Sequence, residues 1–268
     1  MIDRGKRNVL GIGVDVIDYA GAVARILDAA TAGRPLMVSA LAVHGAMTGV
    51  FDRFHRYRLN QFGLIVPDGQ PLRWALDWLH GEKLGQRVYG PELMQRVCAA
   101  SAEAGVPIYL YGSRDEVLDP LETNLRRRYP ALIVAGRSAS RFRMVSDEEN
   151  RAILAEIRAT RPGIVFVGLG CPRQEVFAFE NAEALGCPVI AVGAAFDFHA
   201  GLLRQAPAWM QDRGLEWLFR LTQEPGRLWK RYLLLNPAFC WNLIKQIVRP
   251  ASFEADRGQR PDSRSNYA

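Results

Sequence analysis

Between residues 107 and 192, short runs of apolar and β-branched residues alternate with helix-length amphipathic stretches. Residues 107–111 (PIYLY), 132–135, 164–168 (IVFVG) and 188–192 (PVIAV) read as strands, and 114–129, 146–159 and 173–185 as helices. Strands that are apolar throughout are buried on both faces, as in a parallel sheet covered by helices on either side. This alternation implies right-handed crossovers and a Rossmann-like α/β fold with a mainly parallel sheet. Such sheets bind ligands beyond the carboxyl ends of their strands. Gly112-Ser113, residues 168–174 and residues 193–197 all stand at such ends.

The stretch 164–175, IVFVGLGCPRQE, is the most informative of these. Gly168 and Gly170 remove side chains from a tight turn, and Pro172 falls where the first turn of a helix begins, a position proline tolerates. Strand, turn and helix N-terminus together direct backbone N–H groups outward, toward a phosphate. Gln174 and Glu175 lie in that first turn, within reach of the same ligand. Arg173 stands where the third glycine of a dinucleotide signature belongs, so that signature is incomplete. An ordinary strand-to-helix turn accounts for this stretch equally well.

Upstream, residues 9–17 read as one strand, 20–31 as a helix, 36–41 as a second apolar run and 42–50 as helical. Residues 51–62 are amphipathic and basic, which fits a helix with a solvated face. Their three arginines make no wider stripe for nucleic acid. The strand at 64–66 runs into Pro67-Asp68-Gly69-Gln70-Pro71. A carboxylate there is either a ligand-binding group at a strand end or a turn aspartate bonding its own backbone. The helix over 70–79 places Trp74 and Trp78 one turn apart in the core, and 87–92 leads into a helix ending near residue 104.

After Asp197 no strand is evident, and four of the six tryptophans fall in residues 200–250. Arg213, Arg220 and Arg227 recur every seven residues, with Arg231 four further on, so helices would carry them on one face. Pro225 breaks that run into two helices. A basic face beside tryptophan and leucine fits a helix lying in a membrane interface, and equally a helical hairpin packed on the core. The organisation expected is an α/β core over 1–198, a helical membrane-associating appendage over 199–250 and a disordered tail over 251–268.

The net charge of +6 points to an anionic partner without choosing among nucleic acid, phosphate ligand and lipid surface. The four cysteines lack paired spacing and read as reduced thiols of a cytoplasmic protein. No secretory signal and no membrane-spanning run is apparent. The four histidines make no metal-ligand pair on one helix. No Asp-x-Asp, G-x-S-x-G or P-loop lysine pattern occurs, so metal, serine-hydrolase and kinase readings lose ground.

Six segments in order, IVPDGQP, RVYGPEL, VFVGLGCPRQE, VGAAFDFHAG, RQAPAWM and GLEWLFRLTQEPGRLWKRY, resemble the TagA/WecG/CpsF family of bacterial glycosyltransferases over about residues 9–245. The resemblance implies transfer of N-acetylmannosamine or a related sugar from a UDP-sugar to a sugar on an undecaprenyl diphosphate lipid. The work would be done by a peripheral protein at the cytoplasmic membrane face, feeding teichoic acid, common-antigen or exopolysaccharide assembly. It further implies Asp68 as general base, Gln174 as the family's glutamine and an appendage that brings Arg213, Arg220, Arg227 and Arg231 over the site. Which arginine meets the diphosphate is left open, as is homo-oligomer formation.

Where the family carries Thr-x-Asn, this chain reads from Val38 to His44 as VSALAVH. Ser39 stands for the threonine, no asparagine follows, and His44 is the nearest polar substitute. The expected mechanism is inverting and metal-independent, with no cofactor. Gly112, Ser113, Gly168, Gly170, Pro172, Gln174, Glu175, Gly193 and Asp197 align the donor, while arginines and a helix N-terminus hold the leaving diphosphate. The rivals are an NAD-dependent oxidoreductase of sugar nucleotides, which lacks a Tyr-x-x-x-Lys pair here, and a non-enzymatic membrane or nucleic-acid binding module.

Overall fold

The computed structural model describes residues 1–253 and 266–267. In chain order its elements are β1 (Asp3–Val9), β2 (Ile12–Ile17), α1 (Tyr19–Thr31), β3 (Leu36–Leu41), α2 (Val43–Phe51), α3 (Arg53–Asn60), β4 (Leu64–Pro67) and α4 (Gln70–His80). Then come α5 (Gly90–Ala104), β5 (Ile108–Gly112), α6 (Asp115–Arg128), β6 (Val134–Ser138), α7 (Asp147–Ala159), β7 (Ile164–Gly168), α8 (Arg173–Leu185) and β8 (Pro188–Ala191). Four helices finish the chain: α9 (Ala195–His199), α10 (Ala208–Asp212), α11 (Glu216–Gln223) and α12 (Pro225–Val248).

Six strands form one sheet in the order β4-β3-β8-β7-β5-β6, and every neighbouring pair is parallel. Both faces are buried. On β7, Val165 and Val167 join one apolar cluster while Ile164 and Phe166 join the other. This is the Rossmann-like architecture that the alternating pattern predicts.

The first strand departs from expectation. Residues 9–17 are the bend and second arm of a hairpin, with Val9 opposite Ile12. Leu10 and Gly11 take φ of 55° and 83°, as a two-residue loop matched to strand twist demands. The hairpin covers the β4 edge: buried Asp15 accepts a hydrogen bond from the Ile65 N–H at 2.7 Å and pairs with Lys6 and Arg25. An edge strand shielded this way offers little to another chain.

Two further expectations are corrected, for the tryptophans of α4 and for Arg213. Trp78 is 63% exposed and stacks on the partly buried Trp74, whose indole lies against Gly214, so neither is core. The helix after residue 51 is amphipathic as expected: Arg53 is exposed and Arg56 and Tyr57 partly so, while His55, Arg58 and Leu59 are buried. The break at Pro225 is as expected, with Arg220 on α11 and Arg227 and Arg231 on α12, but Arg213 follows the end of α10 and lies on no helix.

The far half of α12 belongs to the core. Phe239 and Leu243 are buried in one of the two apolar clusters, and Gln246 accepts from the Leu10 N–H and donates to the Asn8 carbonyl. The near half instead overhangs the strand ends. Of the tail expected to be disordered, 254–265 and 268 lie outside the described residues; Pro250–Phe253 form a short 3-10 turn, and Tyr267 bridges Met144.

Candidate active site

The carboxyl ends of β3, β4, β5, β7 and β8 open into one cleft of about 460 Å³, roofed by α11 and the start of α12. That volume is ordinary for a small-molecule site. A smaller adjoining cavity of about 120 Å³ shares Asp68, Glu216, Arg220 and Arg231 with it.

Asp68 follows β4 directly, its N–H bonded to the Leu41 carbonyl, so backbone pairing continues one residue past the strand and aims the carboxyl into the cleft. One carboxyl oxygen accepts from the Gly90 N–H at 2.5 Å, at the N-terminus of α5. Burial raises Asp68 from 3.8 to about 6, outweighing the opposite pull of Arg87 and the Gly90 N–H. A carboxylate at that value is ionised at neutral pH and strong enough to take a hydroxyl proton.

Arg87 sits behind Asp68. It stacks over the Tyr89 ring at 4.1 Å and forms a buried ion pair with Glu216 of α11. Its other hydrogen bond reaches Gln211 at 3.1 Å, so the C-terminal helices are fastened to the residue next to the carboxylate. Arg87 and Glu216 fall in two of the segments that carry the family resemblance, RVYGPEL and GLEWLFRLTQEPGRLWKRY, but nothing in the sequence pairs them.

The glycine turns converge as the spacing suggests. Ser113, Gly168, Gly170, Gln174, Glu175, Gly193 and Asp197 all line the cleft. Gly112 does not, yet it lets two turns meet: its φ is +109°, and a Cβ there would stand 2.9 Å from the Gly168 carbonyl carbon. Pro172 is the residue before α8 and also lies off the cleft. Gln174 is buried, accepting from the Gly193 N–H at 3.0 Å and donating to Glu175 at 2.9 Å. It therefore ties the β7 and β8 turns together. Ser39 is fully buried and donates to Glu175, not into the cleft.

His44 lines the smaller cavity rather than the main cleft, with Nδ1 unpartnered. Burial first, then the Arg231 charge, lowers it to about 4, so its ring is neutral at physiological pH.

The four C-terminal arginines separate by their partners. Arg213 is exposed, bonds the Trp209 carbonyl and reaches neither cavity. Arg220 and Arg227 line the cleft but share Glu224, at 3.6 and 2.5 Å. Arg231 lines both cavities, has no ion pair among the described residues and leaves its Nε unpartnered. Burial pulls it below the usual guanidinium value. A desolvated guanidinium without a carboxylate is the receptor an anion would find. Arg114 and Arg173, neither of which the sequence reading assigned to the site, also line the cleft and add positive charge.

A family model described as "Glycosyl transferase WecG/TagA/CpsF family" matches residues 7–252. The chain belongs to that family. It is a glycosyltransferase, which sets aside the oxidoreductase and non-enzymatic readings. A curated relative from Bacillus subtilis (strain 168), N-acetylglucosaminyldiphosphoundecaprenol N-acetyl-beta-D-mannosaminyltransferase, is 27% identical over 209 residues, 78% of each chain. In this chain the strand ends gather Asp68 and other carboxylates, three glycine-bearing turns and Arg231, which has no ion pair among the described residues, in a single cleft.

Proposed function

We propose that this glycosyltransferase moves a sugar, N-acetylmannosamine or a related hexose or uronate, from a UDP-sugar to a sugar carried on a lipid diphosphate, with inversion. The observation that carries the reading is that Asp68 and the unpaired Arg231 open into the same cleft as the turns after β5, β7 and β8. Asp68 accepts the acceptor hydroxyl's proton, that oxygen bonds the anomeric carbon from one side, and the carbon–oxygen bond to the diphosphate breaks on the other. The base contributes on the order of a hundred- to ten-thousand-fold in rate. Arg231, assisted by Arg220 and Arg227, holds the charge developing on UDP. The curated relative's name supports the lipid-linked acceptor.

No helix among the described residues is long and apolar enough to cross a membrane. Exposed Trp229, Leu233, Leu234, Trp241, Ile244 and Val248 instead spread along α12, beside Lys230 and Lys245. Apolar side chains with basic neighbours suit the interface of an anionic bilayer, which would bring a lipid-borne acceptor to the cleft at the inner membrane face. The deciding experiment incubates the protein with a panel of UDP-sugars and a short-chain lipid-diphosphate sugar and measures UDP release and product. Release from none of them, with or without acceptor, would refute the reading. Cosedimentation with anionic vesicles that survives Leu233→Ser/Leu234→Ser/Trp241→Gln unchanged would refute the membrane role of α12.

A further inference from the structure

Behind the glycine turn, three residues from distant parts of the chain meet: His55 on α3, Cys171 in the turn after β7 and Glu175 in the first turn of α8. One ligand atom from each lies within 4.8 Å of the other two. His55 is 1% exposed and Glu175 2% exposed. Neither ring nitrogen of His55 has a hydrogen-bond partner, and neither does the second carboxyl oxygen of Glu175. The first oxygen is occupied, receiving hydrogen bonds from Ser39 and Gln174.

Three unpartnered polar atoms in one buried spot are unusual, because such atoms nearly always find a partner or an ion. We propose that His55, Cys171 and Glu175 form a site for one zinc-class divalent ion. Sulfur, imidazole and carboxylate together select a borderline metal such as zinc over magnesium or calcium, which favour all-oxygen shells. Ligand atoms around one tetrahedral zinc stand about 3.3–3.8 Å apart, so the three groups need side-chain rotations of roughly an ångström to close on an ion. A thiolate and a carboxylate balance the two positive charges, leaving no net charge buried. Cys171 and Glu175 also border the main cleft, so a water from that side can take the fourth position.

The site is a positioning centre and takes no part in the transfer itself. It would join α3 to the turn that carries Gly168 and Gly170, and its ligand Glu175 receives the Gln174 amide that steadies the neighbouring β8 turn. The inference does not depend on which donor or acceptor is used: the structure turns the occupied Glu175 oxygen toward Ser39 and Gln174, and the site uses neither Asp68 nor the cleft arginines.

The test uses the full chain, stripped with chelator and reconstituted with zinc or cobalt(II). One equivalent of zinc is expected to survive desalting, and cobalt to give a thiolate charge-transfer band with the visible bands of a tetrahedral site. Cys171→Ala should abolish the charge-transfer band, and His55→Ala should weaken zinc at least tenfold in competition with a chromophoric chelator. Circular dichroism and UDP-induced thermal shift check that each variant is folded; should His55→Ala be unfolded, the Cys171→Ala result decides alone. Substoichiometric zinc in the parent, or an unchanged cobalt spectrum in folded Cys171→Ala, would overturn the assignment. Loss of metal with donor specificity intact would sustain it even if the proposed acceptor proved wrong.

Discussion

Replacing Asp68 by asparagine should leave a protein that is more stable and nearly inactive. The unfolded chain releases the Asp68 proton near 3.8, while the folded one holds it to about 6. Stability from this group is therefore greatest below the lower value, falls as pH rises between the two, and stays low above the upper. At neutral pH the ionised carboxylate costs the fold up to about 3 kcal/mol, reduced to about 1–2 kcal/mol because solvent reaches part of the group. Asparagine keeps an oxygen to accept from the Gly90 N–H and carries no charge. Urea denaturation at pH 7.5 should accordingly show Asp68→Asn ahead of the parent by about 1–2 kcal/mol, with the gap shrinking to about half by pH 5. UDP release in the donor and acceptor assay should drop at least about a hundredfold. A variant less stable than the parent at pH 7.5, or a gap independent of pH, would refute the claim that burial dominates at Asp68.

Three other outcomes are expected. The parent's kcat/KM should fall about tenfold for each pH unit below about 6, because protonated Asp68 cannot accept the hydroxyl proton; a flat profile down to pH 5 would remove it as the base. Arg231→Ala should weaken UDP binding by about ten- to a hundredfold in calorimetry, the worth of a charge-assisted contact, while Arg213→Ala leaves it unchanged. Gly112→Ala should cost about 2 kcal/mol or more, lowering the melting temperature by roughly 5 °C, since its φ and its approach to Gly168 both exclude a side chain.

The parallel sheet was legible because its strands are apolar on both faces and alternate with amphipathic helices, a pattern that packing does not override. The turns after β4, β5, β7 and β8 were legible because each carries a glycine at or just past the end of an apolar strand. The hairpin was hidden inside VLGIGV, where Leu10 and Gly11 look like more strand until their backbone bends. Trp74 and Trp78 misled because helical spacing shows which residues share a face but not what covers it. The arginine repeat was visible, but only the fold separates Arg231, which has no ion pair among the described residues, from Arg220 and Arg227, which share Glu224. Arg87 with Glu216, and His55 with Cys171 and Glu175, are brought together only by the fold, because each contact joins segments that are distant in the chain.

The ion pair between Arg87 and Glu216 gives the roof a say in the chemistry beneath it. Glu216 raises the proton affinity of Asp68 and Arg87 lowers it. Were α11 to swing outward, burial would lessen and Glu216 would leave, outweighing the loss of Arg220 from the same helix, so the carboxyl would become a poorer proton acceptor. The seating of α11 over the cleft would thus set how readily Asp68 takes a proton.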